Sequence, residues 1–188
     1  MALQEEESRR CSARSHLLRV LQLRGSRGCG AFRHTRGHPE LAGCPPAPVH
    51  DARLSLQNHF AALLKREQIP FDEQCRTEHG ERPDFLVPGC AAYNDAMYPS
   101  DRMRMVACKS VLRERWDQML NEAERIAEKY LLTLDLALTD ATIEDIRRNN
   151  VRIFIPSMLA DAAYRNHVRR SEIESVSELI KRLQASWT

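Results

Sequence analysis

Apolar residues recur regularly beyond the first quarter of the chain and predict a series of helices and strands. Leu56, Phe60 and Leu64 share one helical face, which predicts a helix over residues 54–68. Pro70 would end that helix. Shorter apolar runs predict strands at residues 71–77, 84–87, 104–109, 130–136 and 151–155, a loop at 93–101, and helices at 112–129, 142–149, 158–165 and 171–184.

The order of these elements predicts the fold class. Strands alternate with helices in the second half of the chain, a pattern typical of an α/β sandwich whose central mixed β-sheet is flanked by helices. The centre of the sheet is expected to hold the apolar residues Leu132, Leu134, Ile153 and Ile155. The helix predicted at 112–129 would pack on this sheet through a stripe formed by Trp116, Leu120, Ala123, Ile126 and Ala127.

Residues 1–53 differ in composition from the rest of the chain. They contain arginines but no lysine, together with clusters of glycine and proline. Such a composition predicts a poorly structured extension, followed by one folded domain over residues 54–188. Two interpretations of the extension stay open: a basic arm that binds phosphates, or an unstructured segment without a role of its own.

Charge and cysteine content limit the possible environment. The formal net charge of +2 over 188 residues neither requires nor excludes a nucleic-acid partner. The chain has no apolar run long enough to cross a bilayer and no secretory signal at its start. A cytoplasmic protein without a membrane partner is therefore expected. None of the six cysteines forms a CxxC pair, so reduced structural thiols are expected.

A combination of charged residues on neighbouring elements indicates metal-dependent chemistry. Asp84 follows Pro83 at the start of a predicted strand, and Lys109 ends another. Many nucleases carry an acid two residues before the lysine, but that position is Ala107. Glu122 would then supply the second carboxylate. Two carboxylates bind a hard divalent cation such as Mg²⁺, and a lysine can act on the attacking water.

These residues also have simpler interpretations. Lys109 would point into solvent at the end of its strand, and Glu122 would pair with Arg115 or Arg125 on a helix surface. Such exposed ion pairs contribute little to stability and carry no chemistry. The spacing alone therefore leaves a nuclease and a solvated surface as alternatives.

Residues 54–183 resemble the catalytic domain of EcoRII-type restriction endonucleases, which belong to the PD-(D/E)XK nuclease superfamily. The similarity follows one order along about two thirds of the chain. It is carried by residues 77–78, 82–86, 92–95, 98–99, 108–109, 113–116, 121–123, 131–134 and 151–156, including the sequences Arg-Pro-Asp-Phe-Leu, Ala-Tyr-Asn-Asp and Asn-Glu-Ala.

This resemblance implies roles for individual residues. Asp84 and Lys109 would be the active-site acid and lysine, and Glu122 would replace the acid missing from the lysine strand. The remaining implied roles are catalytic for Tyr93, DNA-binding for Arg113 and Arg115, and additional metal ligation for Glu78 and the Cys108 carbonyl. Tyr93 has a simpler alternative as a core residue whose hydroxyl is bound locally, and either arginine could contact phosphate instead of a base.

The resemblance also implies an activity and its partners. It indicates a type II restriction endonuclease that uses Mg²⁺ to cleave double-stranded DNA at a short G/C-flanked site such as CCWGG or CCNGG. A homodimer is expected because a nearly palindromic site matches a two-fold protein, with a cognate DNA methyltransferase as a genetic partner. Two alternatives stay open: a repair nuclease specific for mismatched or branched DNA, and an inactive DNA-binding remnant.

Overall fold

A mixed β-sheet forms the centre of the described chain. The computed structural model describes residues 49–112 and 116–187. Their strands, in both chain and sheet order, are β1 Asp72–Glu73, β2 Phe85–Val87, β3 Arg104–Lys109, β4 Lys129–Thr133, β5 Val151–Ile155 and β6 Ile173–Ser175. The pairs β1–β2 and β2–β3 are antiparallel, whereas β3 to β6 are parallel.

Helices connect and cover these strands. The α-helices are α1 Val49–Arg66, α2 Cys90–Asn94, α3 Asp140–Arg148, α4 Ser157–Ala163 and α5 Val176–Trp187. Short 3₁₀ helices lie at Glu78–Gly80, Ser100–Arg102, Trp116–Asn121 and Arg170–Glu172. Within the described residues, no helix combines the length and apolar character needed to cross a membrane.

The core follows the alternation of side chains along each strand. On one face, Phe85, Val106 and Phe154 pack with apolar residues of α1 and α5, including Leu64 and Leu183. Their neighbours in sequence point to the other face because successive strand residues alternate. The buried residues of that other face are Leu86, Met105, Ala107, Leu131, Ile153 and Ile155. The sheet is therefore buried on both faces, as expected for parallel strands connected by helices.

The prediction of one long helix over residues 112–129 is wrong. The chain instead forms the 3₁₀ helix Trp116–Asn121, turns, and enters β4 at Lys129. Ala123 adopts a positive φ of 52°, which ends helical geometry. Met119, Ala123 and Ile126 are nevertheless buried. Of the predicted stripe, Ala123 and Ile126 are therefore buried, whereas Leu120 is half-buried and Ala127 is exposed. Turns rather than one helix produce this burial.

Several other boundaries differ from the sequence prediction. The first helix begins at Val49, within the segment assigned to the extension, and the strand predicted over residues 71–77 is only two residues long. Part of the predicted loop 93–101 belongs to α2. The predicted helix 171–184 begins instead with the end of a 3₁₀ helix and β6, and α5 follows from Val176. Leu134, expected in the sheet centre, lies beyond β4 and is only partly buried.

A disulfide joins the segment after β1 to the start of α2. Cys75 and Cys90 are bonded, with their Cα atoms 5.7 Å apart, so the expectation of reduced thiols is wrong for this pair. Gly89, just before Cys90, has a φ of 150°, and a Cβ atom there would lie 2.5 Å from Oδ2 of Asp72. Glycine is therefore required where these two segments approach each other.

Reduction of the Cys75–Cys90 bond is expected to lower the free energy of unfolding by about 3 kcal/mol, the chain-entropy estimate for a loop of this length. Urea unfolding with and without dithiothreitol measures the change. A Cys75→Ser/Cys90→Ser variant serves as the control and should not respond to the reductant. An equal response of that variant would show that the reductant acts elsewhere.

Candidate active site

The sheet topology brings Asp84 and Lys109 to the same edge. Because β2 is antiparallel to β3, the start of β2 lies beside the end of β3, with Phe85 opposite Val106. Asp84 directly precedes β2 and Lys109 is the last residue of β3. The backbone N–H of Cys108 donates to Oδ2 of Asp84 at 2.8 Å. The acid and the lysine are therefore neighbours in space although 25 positions separate them in sequence.

The carboxylate of Asp84 is buried and accepts hydrogen bonds from three side chains and one backbone N–H. Its Oδ1 accepts from Arg53 Nη2 at 2.7 Å, Gln57 Nε2 at 2.6 Å and Gln74 Nε2 at 3.2 Å. Only 3% of the residue is exposed. With the Cys108 bond to Oδ2, the carboxylate accepts four hydrogen bonds, three of them on Oδ1. The cost of burying the charge is thus offset by an ion pair and three neutral donors.

Glu122 lies at the end of the 3₁₀ helix Trp116–Asn121, where Lys129 helps fix the backbone. The buried Nζ of Lys129 donates to the carbonyl oxygens of Met119 and Leu120. Burial raises the pKa of Glu122 to about 7, and the negative charge of Asp84 adds to this rise, while Lys109 opposes it. Glu122 is therefore close enough to both residues for their charges to act on it.

The stability of the metal-free protein is expected to fall as the pH rises from about 5 to about 8, because Glu122 is protonated more readily in the folded than in the unfolded state. Because the pKa of Glu122 is raised in the folded state, the folded protein binds a proton there that the unfolded chain has already released. The stability that this proton provides is lost as the pH rises through the folded pKa. Thermal unfolding in EDTA at several pH values measures this. A Glu122→Gln variant should lose this part of the dependence, and identical profiles would contradict the assignment.

Tyr93 and Glu78 form a second pair beside this edge. The Tyr93 hydroxyl donates to Oε2 of Glu78. Burial and this hydrogen bond raise the pKa of Tyr93 far above its usual value. Burial alone would raise the pKa of Glu78, but the bond from Tyr93, backbone hydrogen bonds and the charge of Arg125 together outweigh it, and the net shift is downward. Tyr93 thus remains protonated and acts as a hydrogen-bond donor.

Arg125 holds the segment that carries Tyr93. Its guanidinium donates to the carbonyl oxygen of Tyr93, and to those of Asp95 and Tyr98 at 3.1 Å each. The guanidinium carbon also lies 5.5 Å from the centre of the Tyr93 ring, within the range of a cation–π contact. We call this arrangement the carbonyl clamp; it fixes the end of α2 and the turn that follows.

An Arg125→Lys substitution is expected to loosen residues 93–98, because one ammonium group cannot reproduce the planar fork of a guanidinium. Amide hydrogen exchange of Asp95 and Tyr98, whose N–H groups bond within this segment, should accelerate by roughly tenfold or more. An Arg148→Lys variant is the control, since Arg148 pairs with Glu144 on the surface of α3. Unchanged exchange in Arg125→Lys would contradict the role of the carbonyl clamp.

The structure places some of the predicted site residues near one another and does not describe others. It places Asp84 beside the strand that Lys109 ends, with Glu122 within range of the charges of both, and it joins Tyr93 to Glu78. Cys108 is buried, and burial raises the pKa of its thiol, while its N–H binds Asp84. Arg113 and Arg115 lie outside the described residues.

Sequence reasoning missed the side chains that bind Asp84. Arg53 and Gln57 are four positions apart on α1, the spacing of neighbours on one helical face. That spacing and the adjacent Leu56 were detectable, but Arg53 was assigned to the unstructured extension. Gln74 and Arg125 gave no signal, because their partners depend on tertiary contacts.

The donor set at this edge suits a divalent cation. Asp84 and Glu122 offer carboxylate oxygens, the ligands that Mg²⁺ prefers. The negative charge of Asp84 raises the pKa of Glu122. A cation bound between the two carboxylates would relieve this repulsion. A second group, Asp72 with Cys75 and Cys90, also clusters within 4.8 Å, but its two sulfurs are bonded to each other.

A cavity of about 400 Å³ lies away from this edge. Its lining includes Glu128, Arg152 and Glu174, from the segments at and before the starts of β4 to β6. Arg152 pairs with both Glu128 and Glu174. These charges satisfy one another, and the cavity is not part of the site formed by Asp84 and Lys109.

Comparison with known proteins identifies the family. The family model described as EcoRII C terminal matches residues 50–180. The chain belongs to this EcoRII C-terminal family. Among the curated members, the type II restriction enzyme EcoRII of Escherichia coli is 39% identical over 109 residues, and the type II restriction enzyme SsoII of Shigella sonnei is 26% identical over 114 residues.

Solved structures confirm the predicted restriction-endonuclease fold. A metal-depleted Ecl18kI in complex with uncleaved DNA matches 73% of this chain with a TM-score of 0.61 and 22% identity. A PspGI–substrate DNA complex matches 74% with a TM-score of 0.59 and 15% identity.

The chain matches only a part of the length of each of these relatives. The matches extend over 57% and 60% of this chain but only 27% of EcoRII and 36% of SsoII. The corresponding shares of the solved chains are 46% for Ecl18kI and 62% for PspGI. The domain shared with them therefore corresponds to a part of each relative.

Proposed function

We propose that this chain acts as the catalytic domain of a type II restriction endonuclease, which hydrolyses phosphodiester bonds of double-stranded DNA. The observation that supports the proposal is the adjacency of Asp84 to the end of the Lys109 strand, with Glu122 within reach of both charges, in a member of the EcoRII C-terminal family. Two relatives of the family carry the name of type II restriction enzymes.

Each residue has a role that follows from its position. Asp84 and Glu122 would hold Mg²⁺, with Glu78 and the Cys108 carbonyl as further oxygen donors. The cation supplies a water of lowered pKa and positive charge for the phosphate. Lys109, at the end of β3, would orient that water and stabilise charge on the phosphate oxygens.

Tyr93, Arg113 and Arg115 complete the proposed machinery. Because Tyr93 stays protonated, its hydroxyl serves as a donor towards Glu78 or a phosphate oxygen, and not as a base. Arg113 and Arg115 would contact the target bases or the phosphates, since guanidinium groups bind both bidentately.

The proposal extends to the target and the assembly. The DNA site would be short and G/C-flanked, like CCWGG or CCNGG, and a homodimer would match its two-fold symmetry. A methyltransferase encoded with the enzyme would protect the host DNA in the cytoplasm. The folded domain would be residues 54–188 with the preceding part of α1, following the extension.

Asp84→Asn and Lys109→Ala are each expected to reduce DNA cleavage by about 100-fold or more, because they remove a metal ligand and the group that acts on water. Asparagine preserves the volume of the buried Asp84 side chain and avoids an empty space among its donors. Digestion of unmethylated phage DNA with Mg²⁺ or EDTA measures the effect. Lys181→Ala, on the exposed surface of α5, is the control.

The pattern of products separates the candidate functions. Discrete Mg²⁺-dependent fragments from the wild-type protein support a sequence-specific endonuclease. Cleavage of mismatched or branched DNA alone would indicate a repair nuclease, and DNA binding without cleavage would indicate an inactive remnant. Substantial cutting by Lys109→Ala would contradict the role given to that lysine.

A further inference from the structure

The contacts of α1 with the active-site acid suggest a role for a residue that the proposed mechanism leaves unused. Arg53 and Gln57, one turn apart, both donate to Oδ1 of Asp84, and Gln74 donates to the same oxygen. Oδ2 accepts only from the Cys108 backbone among these contacts. Three side-chain donors therefore occupy the oxygen that faces α1.

A cation and these donors cannot share that oxygen. A metal ligand needs a free lone pair, and an ionised carboxylate has about four in all. The guanidinium of Arg53 also carries the same sign of charge as Mg²⁺, and two such charges at contact distance from one oxygen repel strongly in a site with little water. Binding of Mg²⁺ at Oδ1 of Asp84 therefore requires its donors to leave, and the charge of Arg53 makes that residue the one that the cation repels. The Cys108 contact to Oδ2 can remain.

Arg53 has donors to spare once it leaves. Its Nε is buried without a hydrogen-bond partner among the described residues, and 44% of its side chain is exposed. Its charge also acts on Glu122, as the charge of Lys109 does. The fork formed by Nε and Nη2 matches two oxygens of a phosphate.

We propose that Arg53 is a phosphate-binding residue of this site: it holds Asp84 in the metal-free protein and moves to a phosphate of the bound DNA when a divalent cation takes Asp84. This inference rests on the proposed nuclease function. It makes α1 part of the DNA-binding machinery and couples metal binding to the grip on the DNA backbone.

The competition between Arg53 and the cation is tested without DNA. Thermal unfolding is followed while Mg²⁺ is titrated into the wild type, Arg53→Gln and Arg66→Gln. The half-saturating Mg²⁺ concentration should fall by roughly tenfold in Arg53→Gln, because the competing state of Asp84 is removed. Arg66→Gln is the matched control, because it removes the same charge from the last turn of α1, where Arg66 pairs with Glu67. An unchanged value in Arg53→Gln would overturn the displacement.

The phosphate contact is tested by the salt dependence of DNA binding. A fluorescent duplex carrying CCAGG is bound in EDTA and in Ca²⁺, which takes the same oxygen ligands, and gels check that the duplex stays intact. With Ca²⁺, the slope of log K against log salt should be shallower in Arg53→Gln than in the wild type by about 0.9, the value of one phosphate contact. In EDTA the two slopes should agree, since Asp84 retains Arg53. Equal slopes in Ca²⁺ would overturn the proposal.

Two further comparisons keep the outcomes distinct. Arg53→Lys retains the charge but not the fork, so it should keep the wild-type slope with weaker binding. Circular dichroism checks that each variant is folded. If Arg53→Gln is not folded, Arg53→Met, which also removes the charge, replaces it in both titrations. Failure of the proposed function would appear as no DNA binding by the wild type, whereas failure of this inference would appear as wild-type binding that Arg53→Gln leaves unchanged in Ca²⁺.

Discussion

The carboxylate of Asp84 joins the parts of the fold that meet at the site. It lies just before β2, and it accepts hydrogen bonds from α1, from the segment after β1 and from the backbone of β3. Each of these segments also contributes buried residues to the core, among them Phe60, Cys75 and Val106. The relative position of helix and sheet is therefore fixed at the very residue on which the proposed chemistry depends. A buried charge that is held by several hydrogen bonds is costly to disturb from one side alone.

Strand β3 explains why several functional segments lie at one edge. It pairs antiparallel with β2 and parallel with β4, so it is the strand at which the sheet changes direction. The start of β2 and the ends of β3 and β4 consequently lie together. Asp135, two residues after β4, accepts a hydrogen bond from the N–H of Leu112 at 2.7 Å. This contact ties the chain that leaves β3 after Lys109 to the segment that follows β4.

The sequence allowed the mixed sheet and the Asp84–Lys109 pair to be predicted because both depend on strong local patterns. The strands β3 and β5 were placed at their observed bounds from short apolar runs. The environment of Glu122 was not predicted, since the apolar spacing of Met119, Ala123 and Ile126 fits a helix as well as a series of buried turns. The positive φ of Ala123 carries no sequence signal, because alanine rarely adopts it. The partners of Asp84 were missed for a different reason: they come from elements distant in sequence.

The carbonyl clamp has a consequence for how this region can vary. Arg125 recognises the backbone oxygens of Tyr93, Asp95 and Tyr98, and every amino acid provides such an oxygen. Met97, within the same turn, has 88% of its surface exposed. Side chains there can be exchanged while the backbone keeps its course, provided that Arg125 is retained. The turn therefore offers a rigid platform beside the site on which new contact surfaces can evolve or be engineered.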